Sequence, residues 1–342
     1  AQRMIVGHGD DRYSYGALVR YDFSSNVPYR NHAGEIISHL SGRLESLTHY
    51  PDPQAKELRE LLAQHWRLDP DWLLVTNGST EAFYLLAHFF AGGKTLITVP
   101  SFAEYEDACQ LYRHHITYIP TSAIASQSTP ADLLWSALPN NPDGDISHRA
   151  ALLNYCSAHP DSYLIVDEAY AELCAEPVTL LDEVAHHPNL IIVRSLTKSF
   201  ALPGIRLGYI VAHPSLLARL EPLRSPWSVN ALALEAGAYI CQHYDQLLPD
   251  AVGLVREAQH LAHEVAQVAG VSLIPSPTPY FLACLDEGRG TAAQLKEYLV
   301  TQHGVLIRDA ANFRSLSPRH FRLSVQSPEA GQALLRGLSS YL

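Results

Sequence analysis

Only four of the 24 lysine and arginine residues are lysines, at positions 56, 94, 198 and 296, so chemistry that needs a primary amine has four candidates. Lys56 and Lys296 fall in amphipathic stretches among other charges, and Lys94 follows Gly92-Gly93, all patterns of solvated surface lysines. Lys198 lies instead within Arg194-Ser195-Leu196-Thr197-Lys198-Ser199-Phe200, among hydroxyl and apolar side chains. Partial desolvation there favours a neutral, nucleophilic amine that can form an imine with a carbonyl compound. Ser195 and Arg206, in Gly204-Ile205-Arg206-Leu207-Gly208, flank it with a hydroxyl and a planar charged fork suited to phosphate. Asp167 follows the apolar run Leu164-Ile165-Val166, and a carboxylate there is costly unless it meets a cation such as a protonated pyridine nitrogen. The alternative is that Asp167 caps a following helix. Tyr170, three residues on, could hydrogen-bond a phenolic oxygen of the same ring.

Further candidates also follow short apolar runs. Gly78, Ser79 and Thr80, in Thr76-Asn77-Gly78-Ser79-Thr80-Glu81, offer hydroxyls and free amides at a helix start, which suit a phosphate or form an ordinary turn and cap. Phe102 after Val99 can stack on a flat ring or belong to the core. Asn141, in Pro139-Asn140-Asn141-Pro142-Asp143-Gly144, can aim an amide at the same place or merely make a turn. A rival reading takes Ser195-Leu196-Thr197-Lys198 as the S-x-x-K of penicillin-recognising serine enzymes, with Ser228-Val229-Asn230 as S-x-N. No K-T-G occurs, and that reading leaves Asp167 and Arg206 without a role.

The elements that must position these residues read as an α/β fold. Seven short apolar runs, beginning near residues 73, 95, 116, 133, 164, 190 and 207, alternate with helical stretches. They predict a mostly parallel seven-stranded sheet covered on both faces, with ligands at the carboxyl ends of its strands. Helices are expected over Val229–His243 and Leu248–Val268. Strands near Tyr280–Leu285, Val305–Arg308 and Phe321–Val325 then suggest a smaller α+β domain. The expected division is an N-terminal arm over 1–32 that contributes to the small domain, a large domain over 33–235 and a small domain over 236–342.

A net charge of -11 without any basic run argues against nucleic acid and anionic membranes as partners. No segment approaches the roughly 20 apolar residues of a membrane span, and Ala1-Gln2-Arg3-Met4-Ile5 has no apolar signal core. The five cysteines, 109, 156, 174, 241 and 284, form no C-x-x-C pair, which points away from disulfides and zinc and toward a reducing cytoplasm. His114-His115, His186-His187 and His260-x-x-His263 read as surface or structural residues, so no metal is expected.

Together these motifs resemble the fold-type I pyridoxal-phosphate enzymes of aminotransferase class I/II over nearly the whole chain. The match runs in order through Asn77-Gly78, Phe102, Asn140-Asn141-Pro142-x-Gly144, Asp167-Glu168-Ala169-Tyr170, Ser195-x-x-Lys198, Gly204-x-Arg206-x-Gly208 and Phe321-Arg322-Leu323-Ser324. The resemblance implies pyridoxal 5'-phosphate as cofactor, held by Lys198 as a Schiff base, with Asp167 on its pyridine nitrogen. Asn141 and Tyr170 would hold the phenolic oxygen, and Phe102 would stack on the ring. Gly78, Ser79, Thr80, Ser195 and Arg206 would take the phosphate, and Arg322 the substrate carboxylate. Tyr50, in His49-Tyr50-Pro51-Asp52-Pro53, resembles the tyrosine that this family sends to a partner's cofactor phosphate, which implies a homodimer.

Two subgroups are similar: histidinol-phosphate aminotransferases and the threonine-phosphate decarboxylases of cobalamin biosynthesis. Pro100–Tyr105, Arg194–Lys198, Pro226–Leu232, Leu306-Ile307-Arg308 with Ala311-Asn312, and the early His8-Gly9 resemble the decarboxylases more. A small phosphorylated amino acid is the implied substrate, with His8, Asn26, Arg308 and Arg322 as candidates to bind it. Departures are Ser25-Asn26-Val27-Pro28 for the more usual Asn-x-Asn-Pro, Asp143 where threonine is common, and Tyr170 where some decarboxylases carry phenylalanine. A catalytically idle, cofactor-binding regulator is a further alternative, which the complete set of catalytic residues argues against.

Overall fold

The computed structural model describes residues 11–128 and 131–342, so His8 lies outside the described residues. Seven strands form the central sheet: β1 (Leu73–Thr76), β2 (Lys94–Val99), β3 (His115–Pro120), β4 (Leu133–Ala137), β5 (Tyr163–Asp167), β6 (Leu190–Ser195) and β7 (Gly208–Val211). Their spatial order is β1-β7-β6-β5-β4-β2-β3, and all pairings are parallel except those of β7, which runs antiparallel to both neighbours. Because β7 is reversed, its first residue sits at the rim where the other strands end. The register places Gly208 opposite both Thr76 and Ser195, and Asp167 opposite Ala137.

The near-continuous apolar runs arise because both faces of this sheet are covered. On one face Leu74, Trp135, Ile165, Val193 and Ile210 pack with residues of the helices Gly78–Phe89 and Ala103–Leu111. On the other, Val75, Leu134, Val166, Ile192 and Tyr209 pack with residues of the helices Lys56–Trp66 and Ala231–Gln242.

A second core gathers around a four-stranded antiparallel sheet of β8 (Val271–Ile274), β9 (Tyr280–Leu285), β10 (Arg308–Asp309) and β11 (His320–Ser324), in the order β10-β11-β9-β8. Helices Ala251–Ala266, Ala292–His303 and Pro328–Tyr341 complete it. The preceding arm joins this core: Tyr21–Asp22 pairs in parallel with Val305–Leu306, and Phe23 is fully buried there.

Two expectations change. The helices begin later than their apolar periodicity, at caps where the Asn230 and Asp250 side chains accept from Ala233 N and Gly253 N. Ala236, Ile240, Tyr244 and Leu247, placed by sequence in the small domain, pack in the large core. We propose that the boundary falls near Leu248 rather than at 235.

Gly208 shows how tightly the rim is built. A Cβ there would lie 2.7 Å from Ser79 N and 2.8 Å from Arg194 O, backbone atoms that cannot move aside, whereas a Cβ at Gly204 would meet nothing within 4 Å. Gly208→Ala is expected to lower stability by about 2–3 kcal/mol in urea unfolding, while Gly204→Ala leaves the midpoint nearly unchanged.

Candidate active site

At the carboxyl rim of the large sheet, between the two cores, lies a cavity of about 350 Å³. It is lined from the large sheet by Ser79, Phe102, Asn141, Asp167, Tyr170, Lys198 and Arg206, from the arm by residues 24–27, and from β11 by Arg322. Most of the large-domain residues sit at or just after the carboxyl ends of its strands, and with the arm and Arg322 the site collects side chains spread over nearly the whole chain.

One side is built for an anion. Gly78 opens its helix at φ +72°, and a Cβ there would meet Arg206 Nη2 at 2.6 Å. Glycine thus supplies both a backbone conformation disfavoured for other residues and the room for the guanidinium over the helix start. Arg206 is steadied by its Nη1, which donates to Pro203 O at 2.9 Å.

The floor is Asp167. Its Oδ1 accepts from Ala169 N at 2.9 Å and its Oδ2 from the Tyr105 hydroxyl. Burial pushes its pKa up to about 6, against the opposing pull of these donors and of the Lys198 charge. Such a carboxylate calls for a further cation in the cavity.

Arg322 forms the small-domain wall. Its Nη1 donates to Asn141 Oδ1 at 2.5 Å and its Nη2 to Ser24 O at 2.8 Å. The first bond turns the Asn141 amide so that its Nδ2 is left to donate. Arg322 Nε and both polar atoms of the buried Asn26 side chain have no hydrogen-bond partner among the described residues. Unsatisfied donors at a cavity wall are the mark of a site shaped for a ligand. On the β10–β11 ladder Arg308 lies directly opposite Arg322, and both are buried. Burial and the neighbouring Arg322 charge bring Arg308 down to about 10, and burial also lowers Arg322. Like charges paired across a ladder repel unless an anion joins them.

The structure therefore gathers Ser79, Phe102, Asn141, Asp167, Tyr170, Lys198, Arg206, Asn26 and Arg322 around one cavity. Gly78 adjoins it through Arg206, while Thr80 is half-buried on the same helix turn, outside the lining. The Ser195 hydroxyl does not line the cavity; it is bonded to Thr197 Oγ1 at 2.8 Å and accepts from Thr197 N. Arg308 also stands outside the lining, with its guanidinium 5.0 Å from the Phe313 ring centre. Tyr50 is 84% exposed and rests on the Trp227 ring, far from the cavity of its own chain in contact terms. Ser24 and Tyr105 have no role assigned from sequence; Tyr105 ends the Pro100–Tyr105 motif, three residues after Phe102, which caps the helix that carries it.

The aminotransferase class I and II family model matches residues 21–338. The chain belongs to this family. It is 34% identical over 304 residues to a histidinol-phosphate aminotransferase of Symbiobacterium thermophilum, covering 86% of this chain and 82% of the relative. It is 30% identical over 336 residues to the threonine-phosphate decarboxylase of Salmonella typhimurium, covering 94% and 91%. The crystal structure of L-threonine-O-3-phosphate decarboxylase from Porphyromonas gingivalis superposes with a TM-score of 0.89 at 36% identity, covering 93% of this chain and 98% of that one. The sheet order and cavity are those of an aminotransferase-like fold, as the sequence motifs imply.

Because burial raises the pKa of Asp167, the folded chain binds that proton more tightly than the unfolded chain does. Its contribution to stability is present below about pH 4 and is lost as the pH rises toward 6, the reverse of an ion-paired carboxylate. In cofactor-free protein above pH 6, Asp167→Asn is expected to match or exceed the wild-type urea midpoint. A midpoint well below wild type would show that the fold already supplies the carboxylate with its counter-charge.

Proposed function

We propose that this chain is a pyridoxal-phosphate-dependent lyase that decarboxylates L-threonine O-3-phosphate to (R)-1-aminopropan-2-yl phosphate, a reaction of cobalamin biosynthesis, in the cytoplasm. The observation that carries the choice of substrate is the buried pair Arg308 and Arg322, like charges opposed across one ladder beside the cavity. Two guanidinium groups suit a substrate with an anion at each end, a carboxylate and a phosphate. Histidinol phosphate has only one anionic end, but the 2-oxoglutarate of a transamination has two, so the pair supports a doubly anionic ligand and the assay below separates the two reactions.

The residues present fit the cofactor. Lys198 would carry it, Asp167 would face its ring nitrogen, Phe102 would cover its ring, and Asn141 and Tyr170 would hold its phenolic oxygen. Gly78, Ser79, Thr80 and Arg206 would take its phosphate, with Ser195 bracing that loop through Thr197. Pyridoxal phosphate supplies an electron sink for the pair released when a Cα bond breaks. The protein decides which bond that is. Arg322, fixed to Ser24 and Asn141, and Arg308 would hold the two anionic ends, with Asn26 as a further contact. The carboxylate carbon would leave Cα as carbon dioxide, and the Lys198 amine would supply the proton that takes its place on Cα. Tyr50 would reach the cofactor phosphate of a second copy, making the working unit a homodimer; its 84% exposure supports this.

Transamination is the second reading, favoured by Tyr170 at the cavity and by the Symbiobacterium relative. In that reading Lys198 would remove the proton from Cα and would not return it there. Incubation with threonine phosphate, and separately with histidinol phosphate plus 2-oxoglutarate, distinguishes the two. Carbon dioxide without glutamate is expected; glutamate formation would establish transamination. Arg308→Met is expected to raise KM for threonine phosphate about 30-fold or more, because one of the two opposed guanidinium groups is lost.

A further inference from the structure

Tyr105 is fully buried on the first turns of the helix Ala103–Leu111, and its hydroxyl donates to Asp167 Oδ2. Ala169 N holds Oδ1, so both carboxylate oxygens are occupied and the plane of the group is fixed. The Tyr105 ring cannot swing away. It lies edge-on to Phe83 at 4.9 Å, stacks on Trp135 at 5.8 Å, and meets Phe102 edge-on at 6.0 Å. One side chain therefore braces the ring-stacking candidate and grips the ring-nitrogen candidate. We propose that Tyr105 is a positioning residue for Asp167, aiming its carboxylate into the cavity and keeping it ionised for the cofactor nitrogen, an inference that rests on the assignment of Asp167 made above.

The surroundings support this division of labour. Asp167 faces Tyr105 from the helix, Lys198 from the segment after β6, and Glu168 from its own strand end, with Tyr170 and Tyr280 beyond Tyr105. Glu168 is engaged elsewhere, accepting from Arg194, Thr179 Oγ1 and Leu180 N. Burial and the Asp167 charge raise the Tyr105 hydroxyl well above its usual pKa, so it remains a donor throughout the working range. A donor to the ionised form lowers the pKa of its carboxylate. Lys198 is committed to the cofactor in the holoenzyme, which leaves Tyr105 as the side-chain donor on Asp167 that does not change during turnover.

The test uses Tyr105→Phe, which keeps the ring, and Asp167→Asn as comparator, each stripped of cofactor and titrated with pyridoxal phosphate across pH. Tyr105→Phe should bind like wild type in mildly alkaline buffer and about tenfold more weakly in mildly acidic buffer. Its acid limb should move upward by about one to two pH units. The limb of kcat should move with it, with KM unchanged. Asp167→Asn should bind weakly at every pH. If Asp167→Asn is weak but Tyr105→Phe superimposes on wild type, Tyr105 only fills space and the proposal fails. Uniform weakening of Tyr105→Phe at all pH values would show that the hydroxyl does not keep Asp167 ionised, and also overturns it. Wild-type binding by Asp167→Asn would refute the assignment of Asp167 itself.

Discussion

The ionisable carboxylate of Asp167, at the inner end of a buried parallel strand, constrains the rest of the molecule. Burial alone drives Asp167 toward its neutral form. The surrounding elements supply donors on one side, Tyr105 and Ala169 N, and leave the other side open to a cavity. Lys198, Phe102 and Asn141 surround that opening because the sheet order sets the ends of β6 and β4 on either side of β5, with β2 next to β4. The reversed β7 contributes as well: only a glycine at position 208 lets the strand approach Ser79 N and Arg194 O closely.

A second constraint comes from the smaller core. Arg322 spans the two cores by reaching Asn141 on the large-sheet side while holding Ser24 of the arm. The arm is therefore part of the site and not a tail, anchored by its pairing with Val305–Leu306 and by Phe23. A loop contact closes the same seam: Arg314, between β10 and β11, reaches Glu106 of the helix after Phe102 and stacks over Tyr118. Binding residues on both sides are thus held in one frame, as a reaction controlled by bond orientation requires.

The seven strands of the large sheet are legible because each is a short apolar run bounded by turn residues, and most of the candidate residues that line the cavity stand out because they follow those runs. The edge strand β8 was not, since Val271–Ile274 is brief and its burial alternates with exposure. We place the domain boundary later than the sequence does, because the periodicity of Ala231–Gln242 shows that a face is apolar but not which core receives it, and Ala236 and Ile240 pack in the large core. Tyr105 escaped for a related reason: its partner lies 62 residues away, and nothing local announces a hydrogen bond between them. Ser195 was read as a direct ligand, yet its hydroxyl spans only to Thr197, a local bond that competes with any outward one.

The central claim is that Lys198, alone among four lysines, carries the cofactor. Borohydride reduction of the protein loaded with pyridoxal phosphate, followed by peptide mass spectrometry, tests it directly. The account predicts a phosphopyridoxyl group on the peptide that contains Lys198. Modification confined to Lys56, Lys94 or Lys296, or none at all in loaded protein, would contradict it.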